Sequence, residues 1–242
     1  TLSSSSAASD VYKRQIVSGD FFWIKEIKDL LIVAVADCTG HGVPGAFMSM
    51  MGISLLNEEV VGSRLDSPGE ILDRLRKKVK ETLAQEGKLH EQSDGMDMAL
   101  VILNIEKREL QFAGAFNSIY IIRNLSQSNP QEIEKFVSLS DDDCLLYEIK
   151  GDMQPISIHE VESDFKTWNI KLDKGDALYM FSDGFVDQVG GEQGKKFLKN
   201  NFKKTLMKIW HLSMDEQKDR LESTLDEWMK GYDQVDDLSL IH

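Results

Sequence analysis

The stretch AVADCTGHGVPGAFMS, Ala34 to Ser49, decides the fold. It closes an apolar, β-branched run, Leu30 to Ala36 (LLIVAVA), whose composition and length suit a strand buried on both faces. The run stops at Asp37, passes through Cys38, Thr39, Gly40, His41 and Gly42, and resumes at Pro44, a residue suited to the first turn of a helix. AFMSMMGISLLNEEV, Ala46 to Val60, carries the small and sulfur-containing residues of a buried helix, and its methionines read as core rather than as a cofactor contact. A carboxylate is thereby placed at the end of a strand, where burial without a partner is costly.

Downstream, Ser67-Pro68-Gly69-Glu70 has the form of a capping box with proline at the first helical position. Leu72, Leu75, Val79 and Leu83 follow at helical spacing, which predicts an amphipathic helix to about Gln85. DMALVILNIE, ELQFAGA and SIYIIRN read as an antiparallel meander, turning at Glu106 to Arg108 and again at Phe116-Asn117. A polar stretch with Asn129-Pro130 and Ser140 to Asp143 follows, after which strands resume at TWNIKL and DALYMF. Gly190-Gly191 marks a loop, Met214 to Met229 a helix with Leu221, Leu225 and Trp228 on one face, and a last strand begins near Leu238. Hairpins mixed with long helices point to one α+β domain of antiparallel sheet with helices outside.

The 242 residues, 41% of them hydrophobic, supply enough apolar surface for a packed core. Lys and Arg total 28 against 41 Asp and Glu, a formal net charge of -13 that repels nucleic acid and anionic membrane and suits cations. Cys38 and Cys144 are too few for a disulfide framework or a cysteine-built zinc site. No apolar stretch approaches the roughly 20 residues a membrane helix needs. Thr1 to Gln15, serine-rich, reads as a disordered segment or one foreign to the domain and is set outside the fold, leaving 16–242 as the domain.

Four aspartates share a position beside a strand-like run: Asp20 in SGDFFW, Asp37 in ADCTGHG, Asp183 in FSDGF and Asp236 in QVDDLS. An acid at a strand end is solvated, caps a helix, or is gathered with others around a cation. Mg²⁺ and Mn²⁺ take oxygen ligands and retain waters beside one or two carboxylates, and two such ions clamp a phosphate and activate water. The small residues after Asp37 would let a backbone carbonyl, that of Cys38, approach the same ion.

The ordered set SGDFFW, ADCTGHGVPGAFMSMMG, DGMDMAL, LQFAGAFNSIY, KGDALYMFSDGFVDQVGG and QVDDLSL resembles the SpoIIE-like branch of the metal-dependent serine/threonine phosphatases of the type 2C superfamily, from about Ile16 to Leu240. The resemblance implies a four-layer α/β/β/α sandwich, two antiparallel sheets flanked by helices, with a domain here clipped at both ends. It implies two Mn²⁺ or Mg²⁺ ions: the first held by Asp37 and the Cys38 carbonyl, the second by Asp183 and Asp236, with Asp20 contacting the pair through one ion or its water. Water activated by the metals would attack phosphorus in line, without a covalent phospho-enzyme.

Single residues carry alternatives. His41 either donates a proton to the leaving serine oxygen or hydrogen-bonds the loop. Asp94 and Asp97, an acidic pair just before a strand, are either a turn and strand cap or a third, weaker metal position. Asp187 reads as a residue orienting a metal-bound water. Asn117 is a turn residue with substrate contact as its sharper reading, and Lys195-Lys196 a solvated loop or an attractor of phosphoprotein.

The resemblance further implies a phosphorylated protein as substrate, often an anti-sigma-factor antagonist, in bacterial signalling. It implies a cytoplasmic domain, with a sensory or membrane region preceding it in the full-length protein that tethers it to the inner face of the membrane, and it admits a homodimer. A catalytically weak pseudophosphatase acting as a partner-binding module, and an enzyme of small phosphoesters, are the competing readings.

Overall fold

The structure, a computed structural model, describes residues 9–12, 18–40, 42–61, 66–85, 94–127 and 133–241. The elements run β1 (Ser9–Tyr12), β2 (Phe21–Ile27), β3 (Leu30–Cys38), α1 (Val43–Val61), α2 (Pro68–Thr82), β4 (Met96–Asn104), β5 (Glu109–Ala115) and β6 (Ile119–Asn124). They continue with β7 (Val137–Ser140), β8 (Cys144–Ile149), β9 (Trp168–Lys171), β10 (Ala177–Phe181), α3 (Gly184–Asp187), β11 (Val189–Gly190), β12 (Lys195–Lys196), α4 (Lys199–Ile209), α5 (Met214–Met229) and β13 (Leu238–Ile241). Two compact units result: a central one of Val17–Ile119 and Ile149–Leu172, and a terminal one from the described parts of Thr1–Ile16, Tyr120–Glu148 and Asp173–His242.

The central unit is an antiparallel sheet in the order β2-β3-β4-β5-β9. As its composition requires, β3 is buried on both faces: Ile32, Ala34 and Ala36 join a core with helix residues such as Leu56 and Leu72, and Val33 and Val35 are buried too. The Glu70 carboxylate accepts from the Ser67 N–H (3.0 Å) and hydroxyl (2.7 Å), the expected capping box. Its helix ends at Thr82, short of Gln85, because Ala84 takes a left-handed φ of 51°. The helix after Pro44 is buried on one face only. Met48 is in the core, but Val43, Phe47 and Met50 are each more than two-thirds exposed, correcting the expectation of a fully buried methionine stripe.

The terminal unit is a sheet in the order β1-β13-β10-β6-β8-β7, with the β1·β13, β10·β13 and β7·β8 pairs antiparallel. Helices α3, α4 and α5 bury an aromatic cluster in which Tyr120–Phe181, Phe181–Phe202 and Phe185–Phe202 ring centroids lie 4.6, 5.0 and 4.8 Å apart. Among the described residues, no helix is long and apolar enough to cross a membrane.

Four expectations are corrected. SIYIIRN is not a third strand of the meander: β6 joins the terminal sheet, and β9 takes the place beside β5. Phe116, with a left-handed φ of 55°, breaks the strand between them. The stretch around Ser140 to Asp143 is a hairpin turn joining β7 and β8, in which Asp141 Oδ1 accepts from the N–H groups of Asp143 (2.9 Å) and Cys144 (2.8 Å). A further helix, α4, begins at Lys199 without a capping side chain and so carries no start signal in the sequence. Within Thr1–Gln15, set outside the fold, Ser9–Tyr12 pair with β13; the rest of that segment lies outside the described residues.

Arg123 on β6 donates from Nε (2.9 Å) and Nη2 (2.6 Å) to Asp176, and Nη1 lies 3.0 Å from Asp173 Oδ2. The Arg123 and Asp176 side chains are only 3% and 2% exposed. Removing the cation strands a buried carboxylate, so Arg123→Ala is expected to cost about 3–5 kcal/mol in urea unfolding; a cost under about 1 kcal/mol would mean water replaces it.

Candidate functional site

Two acidic sheet edges contain the candidate residues, one in each unit. In the central unit Phe21 pairs with Ala36, and Asp37 pairs directly with Asp97. Asp20, Asp37 and Asp97 therefore stand at one end of three neighbouring strands, Asp20 buried and the others half-buried. Like charges directly opposite are an unfavourable pair in a sheet ladder.

The surrounding loop brings backbone oxygens to the same place. Gly40 has φ +90°. A Cβ on Gly19 would lie 2.7 Å from the Gly40 carbonyl oxygen and 3.1 Å from that of Cys38, and one on Gly45 would meet the Gly40 oxygen outright. Only glycines let these segments approach so closely. The Ser49 hydroxyl on α1 lies 2.6 Å from Gly19 O and 2.9 Å from Gly45 O, tying the helix to the residue before Asp20. Burial pushes the Cys38 thiol far above its usual range, and Asp37, Asp20 and Asp97 add to the effect against a hydrogen bond with Ser49. A hard cation takes oxygen ligands, so what Cys38 could offer one is its carbonyl.

The remaining central residues divide. Asp97 is the second residue of β4, within the strand DMALVILNIE that the sequence predicts. Asp94 stays in the preceding loop, its carbonyl accepting from Gln85 Nε2 at 2.6 Å. Asn117 lies two residues past Ala115, the partner of Met98, and among the described residues its buried Nδ2 has no hydrogen-bond acceptor. His41 lies outside the described residues.

In the terminal unit Phe181 pairs with Leu240. Beyond that pair the Ser182 N–H donates to Ser239 O and the Ser239 N–H to Ser182 Oγ, both at 3.0 Å, which draws Asp183 towards the Asp236-Asp237 turn. Gly184 packs so tightly on the Asp237 carbonyl that any side chain there would collide. Asp183 and Asp236 are exposed, whereas Asp237, which the sequence reading passed over, is buried; the doublet itself was the available signal. The Asp236 carboxylate accepts from the Asp237 N–H at 2.8 Å. Asp187 Oδ2 accepts from Lys196 Nζ at 2.8 Å, and that bond, with Asp183 adding, holds the ammonium pKa above its usual range. Lys196 is exposed, as the solvated-loop reading expects, while also pairing with Asp187.

Among the described residues, no three or more His, Cys, Asp or Glu side chains form a cage that could hold a metal ion. A magnesium-like ion does not require one: it keeps waters and accepts one or two carboxylates with a carbonyl, the donors of the Asp37 edge. The donor chemistry of the Asp37 edge therefore fits a hard divalent cation.

Two antiparallel sheets with flanking helices are the architecture this chain shares with solved phosphatase domains of the PP2C class. The chain belongs to the SpoIIE family, whose model, described as Stage II sporulation protein E (SpoIIE), matches residues 28–242. It is 23% identical over 172 residues to the phosphoserine phosphatase RsbU of Bacillus subtilis (strain 168), covering 71% of this chain but 43% of that protein, so the chain spans under half the length of this curated relative. Among solved structures it resembles the SiaA-PP2C domain of Pseudomonas aeruginosa with a TM-score of 0.77 and 28% identity, covering 95% of this chain and 81% of that one. It also resembles RsbX, solved in complex with magnesium, with a TM-score of 0.59 and 16% identity over 94% of this chain and 87% of the other.

If the opposition of Asp37 and Asp97 is repulsive without metal, Asp97→Asn should raise the unfolding free energy in chelator by about 0.5 kcal/mol. Denaturant titration with and without EDTA measures this; a less stable variant in EDTA would show that the carboxylate is structurally satisfied.

Proposed function

We propose that the chain is a Mn²⁺- or Mg²⁺-dependent protein phosphatase that hydrolyses phosphoserine or phosphothreonine on a bacterial signalling protein. The observation that carries this reading is the line of Asp20, Asp37 and Asp97 across three strands, beside backbone carbonyls crowded together by glycines. In it Asp37 and the Cys38 carbonyl hold one ion, with Asp20 contacting the metals, and Asp183 and Asp236 hold a second. Asp97, with Asp94, supplies a third, weaker position. Such ions, when bound, neutralise phosphoryl charge and make water nucleophilic near neutral pH.

The chain's own residues do the rest. Asp187, fixed by Lys196, orients water at the Asp183 edge. Asn117 offers its buried amide donor to a substrate oxygen. His41 donates the proton to the departing seryl oxygen. The substrate class follows the family: RsbU is itself named a phosphoserine phosphatase, and a phosphorylated anti-sigma-factor antagonist in the cytoplasm suits a chain whose net charge of -13 disfavours nucleic acid.

Hydrolysis of para-nitrophenyl phosphate with Mn²⁺ titrated in tests the metal assignment. Asp37→Asn and Asp183→Asn, each folded by circular dichroism, should lose about a hundredfold or more. Retention of activity by either would remove that residue from the site, and a folded, inactive wild type would favour a pseudophosphatase. His41→Gln should slow a phosphoserine protein by about a hundredfold while sparing the aryl phosphate, whose leaving group needs no proton. Equal losses on both substrates would end the acid role.

A further inference from the structure

Residues 150–167 of the central unit contain no helix or strand, yet they are held more firmly than a surface connection requires. Their first part fills a gap in the sheet. β5 ends at Ala115, opposite Met98, so Met96 and Asp97 have β3 on one side and nothing of β5 on the other. There the Ile156 N–H donates to Met96 O at 2.8 Å. Asp152 bridges Ala115 in parallel, its N–H donating to Gly114 O and its carbonyl accepting from the Phe116 N–H, both at 2.8 Å. A Cβ on Gly95 would come within 2.5 Å of Ser157, so the segment also packs against the residue just before the acidic strand.

Gln154, 2% exposed, sits between these anchors. Its Oε1 accepts from the Ser163 N–H at 3.0 Å and its Nε2 donates to Ser163 O at 2.7 Å, closing the segment on itself. Arg76 of α2, 8% exposed, enters this knot. It donates from Nη1 to Gln154 Oε1, and from Nη2 to Ser163 O and Asp73 Oδ1, each at 2.9 Å, with its guanidinium 4.7 Å from the centroid of the Phe165 ring. Burying a guanidinium on two neutral acceptors and one carboxylate is an expensive way to pin a loop unless the loop's position matters.

We infer that Arg76 is a positioning residue: through Gln154 it holds residues 152–157 as a substitute strand beside Met96 and Asp97, and so fixes the acidic edge in the geometry a divalent cation needs. The inference rests on the metal-dependent reading above. Lys80 provides the contrast. It also joins α2 to this segment, through Glu162 at 2.7 Å, but both side chains are about a third exposed and the hydrogen bonds of Gln154 go to Arg76 and Ser163 instead.

Hydrogen exchange on the metal-free chain, followed by Mn²⁺ calorimetry on the same samples, compares wild type with Arg76→Ala, Gln154→Ala and Lys80→Ala. Arg76→Ala and Gln154→Ala should speed exchange of the Ile156 amide and of residues 95–98, and weaken Mn²⁺ binding about tenfold; Lys80→Ala should do neither. Wild-type exchange at 95–98, or wild-type Mn²⁺ affinity, in a folded Arg76→Ala chain would overturn the inference. So would a Lys80→Ala chain that reproduced both effects. If Arg76→Ala does not fold, Gln154→Ala carries the same comparison. A wild type that binds no Mn²⁺ would overturn the phosphatase reading instead, and the exchange comparison alone would then decide the positioning role.

Discussion

Everything in the central unit depends on the register of β3. Its residues are buried on both faces, and side chains alternate across a strand, so a slip by one position would carry Asp37 into an apolar row and an alanine or valine out of it. The observed register runs unbroken from the Leu30–Asn104 pair to the Cys38–Met96 pair, and it sets Asp37 against Asp97 with Asp20 beside them. The apolar ladder behind the pair is long, so the strand interior supplies the stability and its end is left to carry the carboxylates.

The terminal unit reaches a similar result by different means. There β10 is short, and the exchange of hydrogen bonds between Ser182 and Ser239, rather than a long apolar run, brings Asp183 and the Asp236-Asp237 turn to one edge. Glycine recurs in both places for one reason: Gly45 and Gly184 each lie against a carbonyl oxygen that a side chain would strike. An aspartate at or just past the end of a strand, followed by a glycine-bearing entry into a helix, is thus used twice in one chain.

Much of this was legible in the sequence because it is local. The run LLIVAVA, the Ser67–Glu70 cap and the helix from Met214 to Met229 are each announced by composition or spacing within a few residues, and the structure has them. What was not legible is long-range. No local pattern shows that SIYIIRN leaves the sheet of its neighbours, since two sheets offer equally good partners for an alternating strand. The Asp141–Asp143 triplet reads as a polar stretch until its hairpin is seen. The pairing of Asp37 with Asp97 is invisible for the same reason: the motif around Asp97 places it near a strand, and only the ladder register puts the two carboxylates face to face.

The central claim is that these edges exist to hold divalent cations. Equilibrium dialysis of the intact chain at micromolar free Mn²⁺, with metal and protein quantified in the same sample, tests it without reference to any substrate. The account predicts at least two ions per chain, as a two-metal site requires. A folded chain that retains one ion or none would contradict it.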